Sequence, residues 1–447
     1  MRQIFLFLSL VLCSMSLWSA ERCVEDAAAI AEQFVMKRTP ARKALSNQTS
    51  SPMRLVYTCA RKTSPQAAFY VFNRGEKDGF VVVSGDDRTR EIVMYADKGS
   101  FDANRINPNM QFWLNRMQEE ASVLTDEDVT PYEATENTVT PIAPMLVVNG
   151  QEIQWHQWEP YNRLCPIDNL DTTRSATGCV ATAMAQIMYK YRYPVKGVGT
   201  KTYLWGNPNV RAQSEYLTAD FGNTTYDWDN MLPTYAEVQY TDQQATAVAT
   251  LMYHLGVASE MIYGGVKAEG SATWSDIIAK GVTEHLGYRI AKYVTQYSQE
   301  VFELGGLTPS AFSPTEFSVT TEQLGNYINA DLEAGRPVLM GGETRSGAGH
   351  EFVCDGRDEN GLLHINWGWS GDGNCYCALT TLKPSTMGYV FSTNMDAIIG
   401  LEPNTPTALE TIDDAQCTMH NGRYIINNQL VIIREGKIYN AFGNKVK

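Results

Sequence analysis

The chain has 447 residues, of which 44% are hydrophobic and 19% are charged, and its formal net charge is −14 at pH 7. This length allows two or three domains, and the composition is that of a globular protein rather than a disulfide-rich scaffold. Lysines and arginines are not clustered along the acidic chain. Because phosphate contacts require a basic surface, these features exclude a nucleic-acid-binding protein.

The first 20 residues have the pattern of a secretory signal peptide. Arg2 precedes an apolar stretch at 4–12, and small residues close the segment at Ser19 and Ala20. The apolar stretch is too short to span a bilayer, and no later run is long enough. The sequence therefore predicts a signal peptide over 1–20 and an exported protein, extracellular or on the cell surface, without a transmembrane segment.

Residues 21–141 have the pattern of a separate α+β unit. Helical patterns run from Glu25 to Met36 and from Asn109 to Val123, and four strand-like runs separate them: 55–57, 68–72, 79–87 and 92–96. The acidic, threonine-rich stretch at 125–140 has little to bury, which is typical of an exposed linker. Exposed linkers are the places where proteases cut.

A second unit over 142–402 contains the most informative residue, Cys179. It follows Gly178 and begins a run with helical spacing of apolar residues. A thiol at a helix N-terminus lies at the positive end of the helix dipole, which favours the thiolate. Gly178 has no side chain and lets another group approach the sulfur closely. Taken alone, the pattern also fits a small buried cysteine that only packs.

A thiolate nucleophile needs a base or cation beside it, and histidine is the usual partner. His350 follows a small-residue loop at 346–349 and opens a strand, whereas His254 and His285 lie in helical patterns. The strand at His350 and the run at 362–369 flank a turn and predict a hairpin. His364, in the middle of the second strand, is the alternative base.

Three further residues are candidates for supporting roles. The side-chain oxygen of Asn366 would accept from the imidazole N–H, and Trp367 would cover that contact. The amide of Gln157 and the backbone N–H of Cys179 would bind a developing oxyanion. Packing is the alternative role for Trp367, and an ordinary polar loop residue the alternative for Gln157. No cysteine or histidine spacing predicts a metal site, and nothing predicts a cofactor.

Four segments, at 155–162, 177–186, 349–356 and 364–371, closely resemble the streptopain family of secreted papain-like cysteine peptidases. The resemblance spans nearly all of 21–400, and its motifs occur in the family's order. It implies that Cys179 is the nucleophile, that His350 is the general base and acid, and that Gln157 lines the oxyanion hole. It further implies that 21–141 is an inhibitory propeptide and that substrates carry a hydrophobic residue two positions before the cut.

The expected fold is therefore α+β. A papain-like catalytic domain, with a helical part led by Cys179 and an antiparallel sheet bearing His350, follows an α+β propeptide. The segment 403–447 alternates polar and apolar residues and predicts a small β tail, for which a secretion or sorting role is the hypothesis.

The expected function is a secreted cysteine endopeptidase made as a zymogen, with protein or peptide substrates and its own propeptide as partners. Two alternatives use the same fold: an acyl transferase with the same Cys–His chemistry, or a non-enzymatic surface-binding protein.

Overall fold

The structure is a computed structural model. It describes residues 21–38, 52–125, 132, 138–168, 172–206, 215–266, 270–300, 314–344, 349–382 and 393–404, and the backbone strands between 422 and 439. The predicted signal peptide, most of the predicted linker and the loop at 345–348 lie outside the described residues.

The elements are numbered in chain order. The helices are α1 (Val24–Arg38), α2 (Pro108–Ser122), α3 (Cys179–Tyr191), α4 (Asp242–Ala258), α5 (Ser275–His285) and α6 (Thr321–Glu333). The first strands are β1 (Met53–Ala60), β2 (Ala67–Arg74), β3 (Phe80–Ser84), β4 (Ile92–Ala96), β5 (Val147–Val148), β6 (Gln151–Glu152), β7 (Thr200–Trp205), β8 (Glu215–Asp220), β9 (Tyr288–Arg289) and β10 (Lys292–Thr295). The later strands are β11 (Thr315–Glu316), β12 (Val338–Thr344), β13 (Gly349–Arg357), β14 (Leu363–Asn366), β15 (Cys375–Cys377), β16 (Thr393–Ile399), β17 (Glu402–Pro403), β18 (Gly422–Ile426), β19 (Gln429–Arg434) and β20 (Lys437–Tyr439).

The first unit is an antiparallel sheet, β1 to β4, with a helix on each face. Ala27 and Ala31 of α1 pack on one face, and Phe112 and Trp113 of α2 belong to the core on the other. Both faces of β2 and β3 are consequently buried, which explains their continuous apolar runs. The two helices and four strands predicted for this unit are confirmed.

The sheet of the first unit continues into the sheet of the second. An eleven-stranded sheet runs in the order β1-β2-β3-β4-β15-β14-β13-β12-β16-β10-β11. The junction is the antiparallel pair β4–β15, in which Tyr95 pairs with Tyr376 and Met94 with Cys377. Their two tyrosine rings are stacked with centroids 4.9 Å apart. The two units therefore form one continuous sheet.

The second unit combines helices α3, α4 and α5 with this sheet, and α3 packs directly against β13. The predicted α+β, papain-like architecture is confirmed, and so is the hairpin β13–β14 that begins at His350. Among the described residues, no helix is both long and apolar enough to cross a bilayer. Strands β18, β19 and β20 form a three-stranded antiparallel sheet in the predicted tail.

Candidate active site

Cys179 is the first residue of α3, as predicted. The residue before it, Gly178, has φ of 89°, a conformation that favours glycine. A methyl group on Gly178 would also lie 2.8 Å from Cε of Met261. The helix start is held by Thr182, whose hydroxyl contacts that of Thr177 at 2.8 Å and donates to the carbonyl of Gly178 at 2.9 Å. The backbone at Cys179 is therefore held in place on both sides of the residue.

The thiol of Cys179 is half-buried at the meeting of α3 and β13. It accepts from the backbone N–H groups of Val180 and Glu351. Burial first, and then the Glu351 carboxyl, raise the pKa of this thiol to about 12. Glu351 follows His350 in β13, so the strand of the predicted base does reach the predicted nucleophile.

The His350 ring lies against the first unit. Its centroid is 6.1 Å from that of Phe112 in α2, in an edge-on arrangement. Phe112 also packs on Gly342 of β12, the residue paired with His350 of β13. A methyl group on Gly342 would overlap the phenyl ring. Burial lowers the pKa of His350 to about 4, so the ring is neutral at pH 7.

The thiolate–imidazolium pair expected from the sequence is not formed in this structure. No hydrogen bond joins the described side chains of Cys179 and His350, and their pKa shifts run opposite to those of an ion pair. The physical reason is that both groups are half-buried, that no described side chain forms an ion pair with either of them, and that Phe112 of α2 packs on the imidazole. The arrangement is that of a latent site.

Helix α2 is fastened to the strands around His350. The Asn109 side-chain amide donates to the carbonyl of Glu351 at 2.8 Å and to that of Trp367 at 2.9 Å. The Trp113 ring lies edge-on to Phe352 and to Trp367, at 5.6 and 5.9 Å. A helix of the first unit thus contacts both strands of the predicted catalytic hairpin.

A buried charge pair lies further along α2. Arg116 and Glu120 are fully buried and 3.5 Å apart. Glu120 also accepts from the backbone N–H and hydroxyl of Thr381, at 2.7 and 2.9 Å. Arg116 donates to the side chain of Gln296, which follows β10. Polar contacts to the second unit therefore continue along the length of the helix.

Gln157 lies close to Cys179 in space. Its carbonyl oxygen accepts from the N–H of Thr177 at 3.0 Å, two residues before the nucleophile. The side chain is buried, with 9% exposure. This placement is compatible with a donor to an oxyanion at Cys179.

Asn366 and Trp367 lie at the end of β14. The Asn366 side-chain oxygen accepts from Gln186 in α3 at 3.2 Å and from Gly368 N–H at 3.0 Å, and its nitrogen donates to the Ile153 carbonyl at 2.7 Å. Asn366 thus joins the hairpin to the helix of Cys179 and does not contact the imidazole here. Its catalytic role stays a prediction.

Trp367 is fully buried between Phe352 and Trp113 of α2, and its role in covering the imidazole stays a prediction.

The alternative base, His364, has a different partner. Its Nδ1 lies 2.6 Å from Oδ1 of Asp355, and its ring is edge-on to Tyr376. Asp355 in turn accepts from the N–H of Leu146 through its other oxygen. His364 is thus held within the sheet by Asp355, and the assignment of His350 as the base, with His364 as the alternative, stays a prediction.

Sequence reasoning missed the roles of Phe112 and Asn109, because they act across two units far apart in the chain. It also missed Glu351, which contacts the Cys179 thiol, and Asp396, which flanks Gly341 of β12 on the side opposite Glu351. One local signal was present, since Glu351 directly follows His350 and directly precedes the apolar run Phe352, Val353 and Cys354.

This fold and site define a class: a papain-like cysteine peptidase whose N-terminal unit packs on the strand bearing the histidine. Comparisons with known proteins agree. The pattern of the Peptidase C10 family matches residues 155–377, and that of the Spi protease inhibitor matches residues 20–121. Streptopain of Streptococcus pyogenes is 32% identical over 351 residues, which cover 75% of this chain and 80% of that protein.

Two further relatives extend the comparison. The thiol protease/hemagglutinin PrtT of Porphyromonas gingivalis is 30% identical over 466 residues, and this chain spans 50% of its length. The structure of prointerpain A from Prevotella intermedia is 30% identical, with a TM-score of 0.60, over 78% of this chain and 98% of that one. The chain belongs to the peptidase C10, or streptopain, family. It is a cysteine-type endopeptidase in zymogen form, as its sequence predicted.

Proposed function

We propose that this chain is the precursor of a secreted cysteine endopeptidase whose catalytic pair, Cys179 and His350, forms only after the N-terminal unit leaves. The observation that carries this proposal is the contact between Phe112 and the His350 ring. A ring packed beneath an apolar side chain is kept neutral, and it cannot stabilise a thiolate.

Release of α2 would expose the imidazole to water and raise the pKa of His350 towards its ordinary value. A protonated ring beside Cys179 would then lower the pKa of the thiol. In the reaction, the Cys179 thiolate attacks the scissile carbonyl carbon, and imidazolium gives its proton to the leaving amine. Water, deprotonated by the now neutral His350, hydrolyses the resulting thioester.

Gln157 and the N–H of Cys179 would donate to the oxyanion of the tetrahedral intermediate. Asn366 is placed to position the hairpin through its bonds to Gln186 and Ile153. Trp367 would cover the imidazole once Trp113 has left its other face.

In this proposal, residues 21–141 are the inhibitory propeptide, and cleavage in 125–140 separates it from the catalytic domain at 142–402. The signal peptide over 1–20 directs export, and 403–447 is a β tail with a sorting role. The substrates are proteins or peptides. While the linker is intact, it keeps the effective concentration of the propeptide high, so cleavage promotes release.

The test uses the full chain. A Cys179→Ala precursor should stay at full size when purified alone, and a trace of active enzyme should trim it. His350→Ala should lose hydrolysis of a protein substrate, whereas His364→Ala should retain most of it. Full activity of the uncut precursor would remove the zymogen proposal. Cross-linked products in place of cleaved ones would favour the acyl-transferase alternative.

A further inference from the structure

Two buried carboxyl groups face each other next to the nucleophile. Gly341 of β12 pairs with Glu351 on one side and with Asp396 of β16 on the other. Directly opposed residues of an antiparallel sheet point to the same face, and the central glycine contributes no side chain between them. A methyl group on Gly341 would overlap Oε2 of Glu351 and lie 2.8 Å from Oδ1 of Asp396.

The cluster lies on the Cys179 side of the sheet. The backbone N–H of Glu351 contacts the Cys179 thiol, while His350 and Gly342, one residue away, face Phe112. Ser275, the first residue of α5, donates its hydroxyl to Oε2 of Glu351 at 2.9 Å. The two acids therefore lie beside the position where a peptide must bind to be cut.

The carboxyl group of Glu351 is incompletely satisfied. Only 3% of the residue is exposed, and its buried Oε1 has no hydrogen-bond partner among the described residues. Within the described part of the chain, no basic side chain forms an ion pair with it. The neighbouring Asp396 accepts from the hydroxyl of Tyr293, so its environment is also polar.

A buried carboxyl group without a cation is costly when ionised and less costly when protonated. Burial first, and then Asp396, raise the pKa of Glu351 well above its usual range. A cation placed beside Glu351 and Asp396 would restore their charge and satisfy the open oxygen.

The cluster is close to the surface. Trp274, adjacent to Ser275, is 37% exposed, and Cys179 itself is half-buried. A side chain that reaches past Cys179 has only a short distance to cover before it meets Glu351. Lysine and arginine combine a long apolar stem with a charged end, which matches an acidic group that is itself buried.

We propose that Glu351, Asp396 and Ser275 form a substrate subsite that takes the basic side chain of a lysine or arginine near the cleaved bond. This inference rests on the proposed function, and it replaces the hydrophobic preference that the family resemblance implies. The oxygens of the two carboxylates and of Ser275 would accept hydrogen bonds from the N–H groups of the cation. Gly341, which has no side chain, leaves the space between them.

The experiment uses the mature enzyme released from the full chain. Fluorogenic peptides vary each of the four positions before the cleaved bond in turn, with arginine, lysine, leucine or phenylalanine. At one of these positions a basic residue should raise kcat/KM at least tenfold over leucine. Glu351→Gln should then lower the ratio of kcat/KM for the basic peptide to kcat/KM for the leucine peptide roughly tenfold to a hundredfold, as for a lost charged hydrogen bond. Asp396→Asn should act in the same direction.

Glu284→Gln is the matched control, because Glu284 is exposed on α5 and, within the described ranges, forms its ion pair with Lys280 of the same helix at 3.9 Å. It should leave both peptides unchanged. If wild type and Glu351→Gln have the same ratio of kcat/KM for the basic peptide to kcat/KM for the leucine peptide, the subsite proposal is wrong. Alkylation of Cys179 in each variant separates this result from failure of the proposed function. If the mature enzyme is labelled at Cys179 and cleaves peptides without a basic preference, only the subsite is wrong. If the Cys179→Ala enzyme still cleaves, the nucleophile assignment is wrong.

Discussion

Asn109 offers the cleanest way to weaken the hold of the propeptide without disturbing the fold of either unit. Both hydrogens of its amide cross to the second unit, where they bind the carbonyls of Glu351 and Trp367 at 2.8 and 2.9 Å. The residue is 1% exposed, so water does not replace these bonds while α2 remains docked. Asn109→Ala should therefore act on the interface almost alone.

The size of the effect follows from the two bonds. A hydrogen bond contributes about 1 kcal/mol net, and a buried group left without its partner costs about 1–3 kcal/mol. Asn109→Ala should therefore weaken docking by about 2–4 kcal/mol. Since 1.4 kcal/mol corresponds to a factor of ten, the dissociation constant should rise roughly thirtyfold to a thousandfold.

The assay starts from the Cys179→Ala precursor, whose linker is cut by a trace of active enzyme that is then removed. The dissociation constant of the released propeptide for the catalytic domain is measured by titration. Gln111→Ala is the control on the same helix, because its side chain donates to Asn115 within α2, at 2.8 Å. Equal affinities for Asn109→Ala and wild type would refute the claim that this side chain fastens the helix.

Three other outcomes are expected. Gln157→Ala should lower kcat roughly a hundredfold to a thousandfold with little change in KM, because its donor acts on the transition state; a changed KM alone would make it a substrate-binding residue. Gly178→Ala should reduce both thermal stability and activity, because φ is 89° and the methyl group would contact Met261; unfolding temperature and turnover equal to those of wild type would contradict this. Acid should weaken docking of the propeptide. The pKa of His350 is about 4 when the propeptide is docked and near 6.5 in an ordinary setting, so the released form binds the extra proton. The affinity should fall about tenfold or more from pH 7 to pH 5, and a pH dependence that survives in His350→Gln would assign it to another group.

The local features of this site were predictable from the sequence. The helix that begins at Cys179 depends on Gly178 and on the apolar spacing after it, and the hairpin at His350 depends on a short turn. Both are set by residues close together in the chain, and both are found in the structure. The elements of the first unit were predictable for the same reason.

The features set by contacts between distant segments were not predictable. The neutral state of His350 depends on Phe112, which belongs to another unit. Glu351 and Asp396 lie near each other because both are paired with Gly341, and this depends on the register of three strands. A sequence shows that a thiol and an imidazole are present, but the electrostatic state of each depends on what packs on it.

The central claim is that docking of the first unit separates Cys179 from its base. The most direct test is the rate at which iodoacetamide alkylates Cys179 from pH 5 to pH 9, in the precursor and in the mature enzyme. A Cys23→Ser background removes the exposed thiol of the first unit, and mass spectrometry of the peptide identifies the labelled residue. With a thiol pKa of about 12, only about one precursor in 10⁵ carries the thiolate at pH 7, so labelling should be very slow.

The mature enzyme should react quickly even at pH 5 to 6, because a His350 imidazolium would stabilise the thiolate. In the mature His350→Ala variant the rate should follow an ordinary thiol, with a midpoint near pH 8.5. Fast labelling of the uncut precursor at pH 6, with the same profile as the mature enzyme, would contradict the account.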